Sequence, residues 1–524
     1  MRSTFHGLEV AKRSLFTHQT ALNTTAHNLA NANTIGYSRQ RVNMVATRPL
    51  EMPGMMRSNI PGQLGTGVEF DSIRRVRDTF LDFQFRRENQ LLGEWEIRDA
   101  TLRTIEGIIN EPSEHGIQSA MNRFWDAWEA LNRDPKLLSA RVAVLGEALS
   151  MVETFNHAGR SLNNLMNDLD ASIAIKISEA NNIIQNIAHL NYQIRRIEGL
   201  GDNANDFRDQ RDLLVDQLSK IVDVQVEELA DGTYNIVVAG GIQVVNGDNA
   251  VLLENDHANN AVSGELAGYV KAKEDVTFVR NQLNALVNTL ITGEVTVTLP
   301  AGYVAARDLV AASDVTLADG TMIPAGETIP AGSVIDTDFE IVVKGFNGLH
   351  ELGYGLDEPA TAGIPFFVSD GETFTIDNIR VNPEIVKDTN KIAASGQYET
   401  VDERNIPIKG NSDIAHALAG LRDKVFTFPE NLTALKEGTT DDFFRAVVGD
   451  LGVKAADATR TKQNQQDIVD SIDMRRQSVS GVSLDEEMAD LIRFQHAYNA
   501  AARNVTVVDE ILDRVINHMG IVGR

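Results

Sequence analysis

The sequence predicts a multidomain α+β protein with N- and C-terminal helices paired as a coiled coil, a long helical bundle, and a β-rich domain carrying a β insertion. Three observations carry that prediction. Apolar residues recur at heptad spacing at both ends of the 524-residue chain. Helical periodicity dominates two stretches, at 74–220 and 414–477, and between them the period falls to two, with glycine turns. Within that β-rich stretch, a Pro-Ala-Gly tripeptide repeats at residues 300–302, 324–326 and 330–332.

The C-terminal helix comes first in the argument because it is the longest demand on the fold. Ser483, with Glu486 three residues on, has the spacing of a capping box. After it Leu484, Met488, Leu491, Gln495, Tyr498, Ala502, Val505, Asp509, Leu512, Ile516 and Met519 alternate steps of four and three. This is a heptad seam with Gln495 and Asp509 as polar interruptions. A helix of this length spans roughly 55 Å and cannot bury its own stripe. At the other end Leu8, Leu15, Leu22 and Leu29 recur every seven residues, flanked by Phe5 and Ala26 and interrupted by Lys12 and Gln19. The expected assembly interface is therefore Leu8, Leu15, Leu22, Leu29, Leu484, Met488, Leu491, Tyr498, Val505, Leu512 and Ile516. The same spacing also fits two ordinary amphipathic helices of a globular domain.

In chain order, Asn33-Thr34-Ile35-Gly36 is expected to end the first helix, with Gly36 just past its end. Residues 37–70 read as an extended connection with a strand at Val68 to Phe70, because Pro49, Pro53, Pro61 and four glycines forbid a long helix. Gly62, Gly65 and Gly67 are turn glycines rather than a phosphate loop, since no helix N-terminus follows them. Helical spacing returns from Arg74 to Asn110 and again from about Ile117 to Asn132, where Phe124, Trp125 and Trp128 mark a packing core. A third helix opens at Asp134-Pro135 with Leu138, Val142, Leu145 and Leu149, and a longer one spans Ser161 to Gly199. The helix Asn205 to Lys220 carries Asp206, Asp209 and Asp212, which lack EF-hand spacing and read as exposed charge.

Residues 221–270 then alternate as strands, and Val276 to Ile291 returns to helix. The block at 293–340 holds eight acidic residues and one basic residue among short Val/Thr/Ile runs. It reads as a compact β insertion. Strands near 365–382 close the β-rich part, short helices lie near 414–426 and 440–451, and a last bundle helix runs from about Ala455 to Gln477. The expected domains are 1–60 with 480–524, 61–200 with 411–479, 201–292 with 341–410, and the insertion 293–340.

The segment Ala21 to Val42, ALNTTAHNLANANTIGYSRQRV, resembles the N-terminal signature of flagellar rod, hook and hook-associated proteins. Its signature positions here are Asn28, Asn31, Asn33, Gly36, Tyr37, Arg39 and Gln40. The run SGVSLDEEMADLIRFQHAYNAAARNV resembles the matching C-terminal signature, and Asn205 to Ser219 resembles a further internal one. Tyr37-Ser38-Arg39-Gln40 is more similar to the hook–filament junction members than to the hook protein. The resemblance implies a structural component of the bacterial flagellum, an adaptor joining hook to filament through self-assembling terminal helices. It implies an inner tube of terminal helices, a middle helical layer and an outer β-rich surface. The implied partners are further copies in a helical assembly, the hook protein, a second junction protein next to the filament, and a cytoplasmic export chaperone. It also implies an extracellular location reached through the flagellar export apparatus without a cleaved signal peptide. A hook or distal-rod subunit, or a glycan-binding adhesin built on the insertion, stays open as an alternative.

Composition narrows the chemistry. The chain has no cysteine, which excludes disulfides, thiolate metal sites and cysteine nucleophiles. The formal charge is −26, with residues 1–100 carrying 13 Lys/Arg against 10 Asp/Glu. An acidic chain without a basic stripe is not expected to bind nucleic acid. No apolar run reaches the roughly 20 residues of a membrane span, so no membrane partner is expected. The 11 histidines form no zincin motif and no nucleophile elbow is present. His350-Glu351 reads as a helix surface pair. No enzyme activity and no cofactor are expected.

Overall fold

The computed structural model describes residues 5–49, 64–433 and 435–518. Met519, Pro53, Pro61 and Gly62, named above for the seam and the connection, lie outside the described residues. The fold is mixed helix and sheet, with long helices and small antiparallel sheets.

Helix α1 (His6–Ala30) stops earlier than expected, and the turn after it ends at Gly36, whose φ of 82° is left-handed. Strand β1 (Gln40–Ala46) pairs antiparallel with β2 (Val68–Arg75), with a register shift at Asn43/Met44. Arg74 and Arg75 therefore belong to a hairpin, and α2 (Thr79–Ile109) begins after it. Helix α3 (Ile117–Arg133) follows as expected. The two helices predicted next are one, α4 (Leu138–Glu198), of 61 residues. Buried Met151, Phe155, Ala158 and Leu162 carry the helical period through the supposed gap. Gly159 is no break but a close approach, since a Cβ there would lie 2.4 Å from the Asp377 carboxylate.

Helix α5 (Asn205–Ile221) leads into a four-stranded meander, β3 (Val224–Glu228), β4 (Tyr234–Val238), β5 (Ile242–Asn246) and β6 (Asn249–Ala250), in spatial order 3-4-5-6. Helix α6 (Gly264–Thr292) starts well before Val276. The block expected at 293–340 holds β7 (Glu294–Leu299), β8 (Leu309–Val310), β9 (Val315–Thr316), β10 (Met322–Ile323), β11 (Thr328–Ile329) and β12 (Phe339–Lys344), the last strand running past its expected end. Its pairs are nested, β7 with β12, β8 with β11 and β9 with β10. At each Pro-Ala-Gly, the residue after the glycine donates back to the proline carbonyl, and Gly302, Gly326 and Gly332 sit at φ of 91°, 89° and 82°. These are four-residue turns that require glycine in third place. The alanine N–H of each turn donates to a carboxylate: Ala301 to Asp338, Ala325 to Asp314, Ala331 to Asp308. Part of the insertion's acidity is thus turn chemistry.

Short elements follow: α7 (Gly345–His350), the pair β13 (Phe367–Val368) and β14 (Arg380–Val381), α8 (Pro383–Lys387), and the pair β15 (Tyr398–Val401) and β16 (Arg404–Pro407). Then come α9 (Asp413–Gly420) and the pair β17 (Phe426–Thr427) and β18 (Glu437–Gly438). The two helices expected at 440–451 and 455–477 are again one, α10 (Thr440–Ser480), and Gly449 and Gly452 sit in it without close neighbours. Helix α11 (Leu484–Asp513) follows, continued by a π-helical turn at Arg514–His518.

The chain divides into two compact units. One comprises Met1–Glu96, Ile173–Gly268 and Thr461–Arg524; the other comprises Ile97–Ser172 and Tyr269–Arg460. The core of the second unit gathers Phe124, Trp128, Phe346, Phe366 and Phe367, with Phe124 and Phe346 ring centroids 5.3 Å apart. His350 is not a surface residue. It is fully buried beside Trp128, with Nδ1 against the Ile364 carbonyl and Nε2 accepting the Ala393 N–H. Burial lowers its pKa to about 4, so it stays neutral.

Candidate functional site

In the first unit, α1 and α11 pack side by side and antiparallel. Gly7 faces Val508, the His18 and Phe494 rings lie 6.3 Å apart, and Asn28 Nδ2 donates to Glu487 Oε2 at 3.0 Å. These contacts lie on steps of four and three along both helices. On α1 the line is Gly7, Ala11, Ser14, His18, Ala21, Thr25 and Asn28; on α11 it is Glu487, Leu491, Phe494, Tyr498, Ala501, Val505, Val508 and Leu512. Small residues on α1 let the backbones approach, and Ala11, Ala21, Thr25 and Asn28 are buried.

The predicted seam residues divide accordingly. Leu8, Leu15, Leu22, Leu491, Tyr498, Val505 and Leu512 are half-buried, whereas Leu29, Leu484, Met488 and Ile516 are exposed. Gln495 and Asp509 do not interrupt the intramolecular line: both are exposed, and Phe494 and Val508 stand in the contact instead. Ser483 makes no side-chain cap, and the Glu486 carboxylate that a capping box would turn back to the Ser483 N–H accepts from Arg39 instead.

Asn28 ties three segments together. Its Nδ2 donates to the Gln40 carbonyl and to Glu487, and its Oδ1 accepts from Tyr37 Oη at 2.7 Å and from the Gln40 N–H at 2.9 Å. A buried amide can make four such bonds, and here all four are made. Burial, with Asp206 and Asp209 nearby, pushes the Tyr37 hydroxyl up, which keeps it a donor. Arg39 donates from Nε to Glu487 at 2.6 Å and from Nη1 to Glu486 at 2.7 Å, and its backbone N–H donates to the Ser480 carbonyl. Gln40 Nε2 donates to Asp206, and its Oε1 accepts from Asn205. A Cβ at Gly36 would meet Leu213 at 3.1 Å, so its absence admits α5. The structure thus brings Asn28, Gly36, Tyr37, Arg39 and Gln40 into one site. Asn31 bonds only locally, to the His27 carbonyl and Thr34, and Asn33 is exposed in the turn.

Sequence reasoning missed what lies beneath. Asp209 and Asp212 are not exposed charge: with Asp82 and Asp216 they meet Arg75, Arg77, Arg86 and Arg476 in a buried ionic cluster. Asp209 also accepts the Ser38 N–H at 2.8 Å, which joins the cluster to the signature turn. Burial opposes the charge of Asp212, but Arg77, Arg75 and Arg86 outweigh it and hold the carboxyl well below the usual range. Burial and Asp212 push Tyr234 up to about 12, and its hydroxyl donates to Asp212 at 2.8 Å. The missed signal was the matched count of arginines and aspartates on segments with helical or strand spacing.

Comparison with known proteins gives these contacts a setting. Flagellar hook-associated protein 1 of Bacillus subtilis (strain 168) is 33% identical over 536 aligned residues, covering 100% of both chains. The chain belongs to the flagellar hook-associated protein 1 family. Flagellar hook-associated protein 1 of Escherichia coli (strain K12) is 26% identical, covering 95% of this chain and 97% of the relative. That of Salmonella typhimurium is 25% identical at the same coverage. The model for the flagellar hook-associated protein FlgK helical domain matches residues 102–293. The models for flagella basal body rod protein and for the flagellar basal body rod FlgEFG protein C-terminal match residues 8–37 and 476–518. Those two matches fall on the helices that Asn28 and Arg39 join. The solved structure of the flagellar hook junction protein FlgK from Burkholderia pseudomallei shares the fold, with a TM-score of 0.50 at 14% identity, covering 76% of this chain and 100% of that one.

Proposed function

We propose that this chain is a structural component of the bacterial flagellum, an adaptor that joins hook to filament. The observation that carries the reading is the end-to-end match to flagellar hook-associated protein 1, together with rod-protein models on both terminal helices. Relatives so named favour this reading over a hook or distal-rod subunit and over a glycan-binding adhesin. The terminal helices α1 and α11, within the expected domain 1–60 with 480–524, act as a coiled coil that packs into an inner tube. The bundle, 61–200 with 411–479, forms a middle layer, the β-rich parts 201–292 and 341–410 an outer one, and 293–340 an outward insertion. Exposed Leu29, Leu484, Met488 and Ile516 serve contacts between copies, while half-buried Leu491, Tyr498, Val505 and Leu512 stand on the line that meets α1. The partners are further copies in a helical array, the hook protein, a second junction protein beside the filament, and an export chaperone. The location is outside the cell, reached through the flagellar export apparatus. The role is mechanical, not catalytic. Electron microscopy of a strain lacking the gene tests this: hooks without filaments, restored by the wild-type gene, are expected. Normal filaments on the deletion strain would overturn it.

A further inference from the structure

The register of the β1–β2 hairpin sets Arg41 directly opposite Arg74. Like charges across an antiparallel pair repel, and both side chains are exposed. Arg74 donates only to Ser72 Oγ, and neither arginine has a carboxylate partner among the described residues. Arg493 of α11 stands at the same groove, its side chain 64% exposed, and shares Asp490 with Arg39. The groove has a volume of 580 Å³, and five arginines line it against two carboxylates, Glu487 and Asp490. Both of those are already engaged by Arg39. Val42, Met44 and Phe494 give it an apolar floor. Arg39, Arg75 and Arg493 have carboxylate partners, so in a chain of net charge −26 the positive charge left without one at this groove is that of Arg41 and Arg74.

A complementary surface lies on the same chain. Asp509 follows Arg493 by about 24 Å of helix rise and roughly 160° of rotation, which places it on the opposite side of α11. It is exposed and has no partner among the described residues. Leu484, Met488 and Ile516 lie within about 60° of Asp509 around the helix, at the edge of the line that meets α1, and are more than half exposed. Opposite faces of one helix carrying complementary charge suit a head-to-tail contact, in which each copy uses one face toward the preceding copy and the other toward the next.

We propose that the groove between the β1–β2 hairpin and α11 receives the exposed Asp509-bearing side of α11 from a second copy of this chain, with Asp509 as the carboxylate between Arg41 and Arg74. This inference rests on the assembly reading above and specifies its contact. The repulsion between Arg41 and Arg74 is relieved only when the neighbour docks, which makes the contact selective for an acidic helix over the apolar faces exposed elsewhere.

The absence of native cysteine makes the test direct. The full-length chain carrying Arg41→Cys and Asp509→Cys is expressed in the deletion strain, and isolated hooks are oxidised and run on non-reducing gels. A ladder of dimers and higher species is expected with both cysteines and not with Asp509→Cys alone. In parallel, Arg41→Glu with Arg74→Glu should reduce filament-bearing cells at least about tenfold, and adding Asp509→Arg should restore most of them. If the double-cysteine chain is on the hooks and filaments grow, but no ladder forms, the proposed contact is wrong while the adaptor role stands. If the charge-reversed chain reaches the hooks and supports normal filaments, the contact is likewise wrong. If the wild-type chain is not found on hooks at all, the functional reading itself fails. Loss of the charge-reversed chain to misfolding leaves the crosslink as the deciding result.

Discussion

Replacing Asn28 with alanine removes the amide that joins α1, the signature turn and α11. The side chain is 1% exposed and makes four hydrogen bonds, two to the Gln40 backbone, one to Tyr37 and one to Glu487. At about 1 kcal/mol net for each, the loss is about 4 kcal/mol. Rehydration of the half-buried Tyr37 hydroxyl reduces this, and the buried Gln40 groups left without partners increase it. A two-unit chain has no single unfolding free energy, so the measurement must be local. Amide exchange followed by mass spectrometry on peptides covering residues 38–46 reads the opening of β1. An effect of that size speeds exchange there by about a thousandfold. Asn28→Asp keeps the shape but turns two donors into an oxygen facing the Gln40 carbonyl and the Glu487 carboxylate. It should protect no better than alanine. A change below about tenfold for Asn28→Ala, or recovery by Asn28→Asp, would refute the claim that this amide holds the site together.

Asp212→Asn strips the ionic cluster of the carboxylate shared by Arg75, Arg77 and Arg86, and should destabilise the first unit by about 3–5 kcal/mol, read as faster exchange in α5. Because the folded-state pKa of Asp212 is depressed, its contribution is complete above the unfolded value near 4 and is lost as pH falls below it. The difference between wild type and Asp212→Asn should therefore narrow only in strong acid, and a gap that already closes at pH 5 would contradict the assignment. For His350 the folded pKa of about 4 lies below the unfolded value near 6.5, so folding favours the neutral ring. The second unit should lose about 3 kcal/mol as pH falls from 6.5 to 4, through protonation of the unfolded chain. Tryptophan fluorescence during urea unfolding checks this, since Trp128 adjoins His350; a His350→Gln variant with the same pH slope as wild type would rule it out.

The element types along the chain were legible because periodicity reports burial. The strands of β3 to β5 and the helices α3 and α5 lie where alternation or helical spacing puts them. Joins between elements were less legible. Two joins were missed inside helices, where Gly159 sits in α4 to admit Asp377 and Gly449 and Gly452 sit in α10 in open space. A glycine costs a helix only about 1 kcal/mol, which the packing of Met151, Phe155 and Leu162 readily outweighs. Conversely, Arg74 and Arg75 looked helical by spacing, but pairing with Arg41 and Gln40 claims them for the hairpin.

Asn28, Gly36, Tyr37, Arg39 and Gln40 were legible as a group in the sequence, but the residues of the helix contact were not, for a physical reason. Heptad reasoning ranks residues by apolarity, so it chose Leu8, Leu15, Leu22 and Leu29. The packed line on α1 instead runs through Gly7, Ala11, Ala21, Thr25 and Asn28, where small size and hydrogen-bonding capacity decide the contact. A close, partly polar helix pair leaves its large apolar side chains at the margins, where Leu29, Leu484 and Met488 remain exposed in the single chain. The same logic explains Asp209 and Asp212. A carboxylate is unfavourable in a core unless cations accompany it, and those cations come from segments more than a hundred residues away in sequence. Spacing within one helix therefore could not reveal them. What unites the two cases is that Asn28, Arg39 and Arg476 each complete a polar set begun on another segment, so neither chain end satisfies its polar groups until the other is in place.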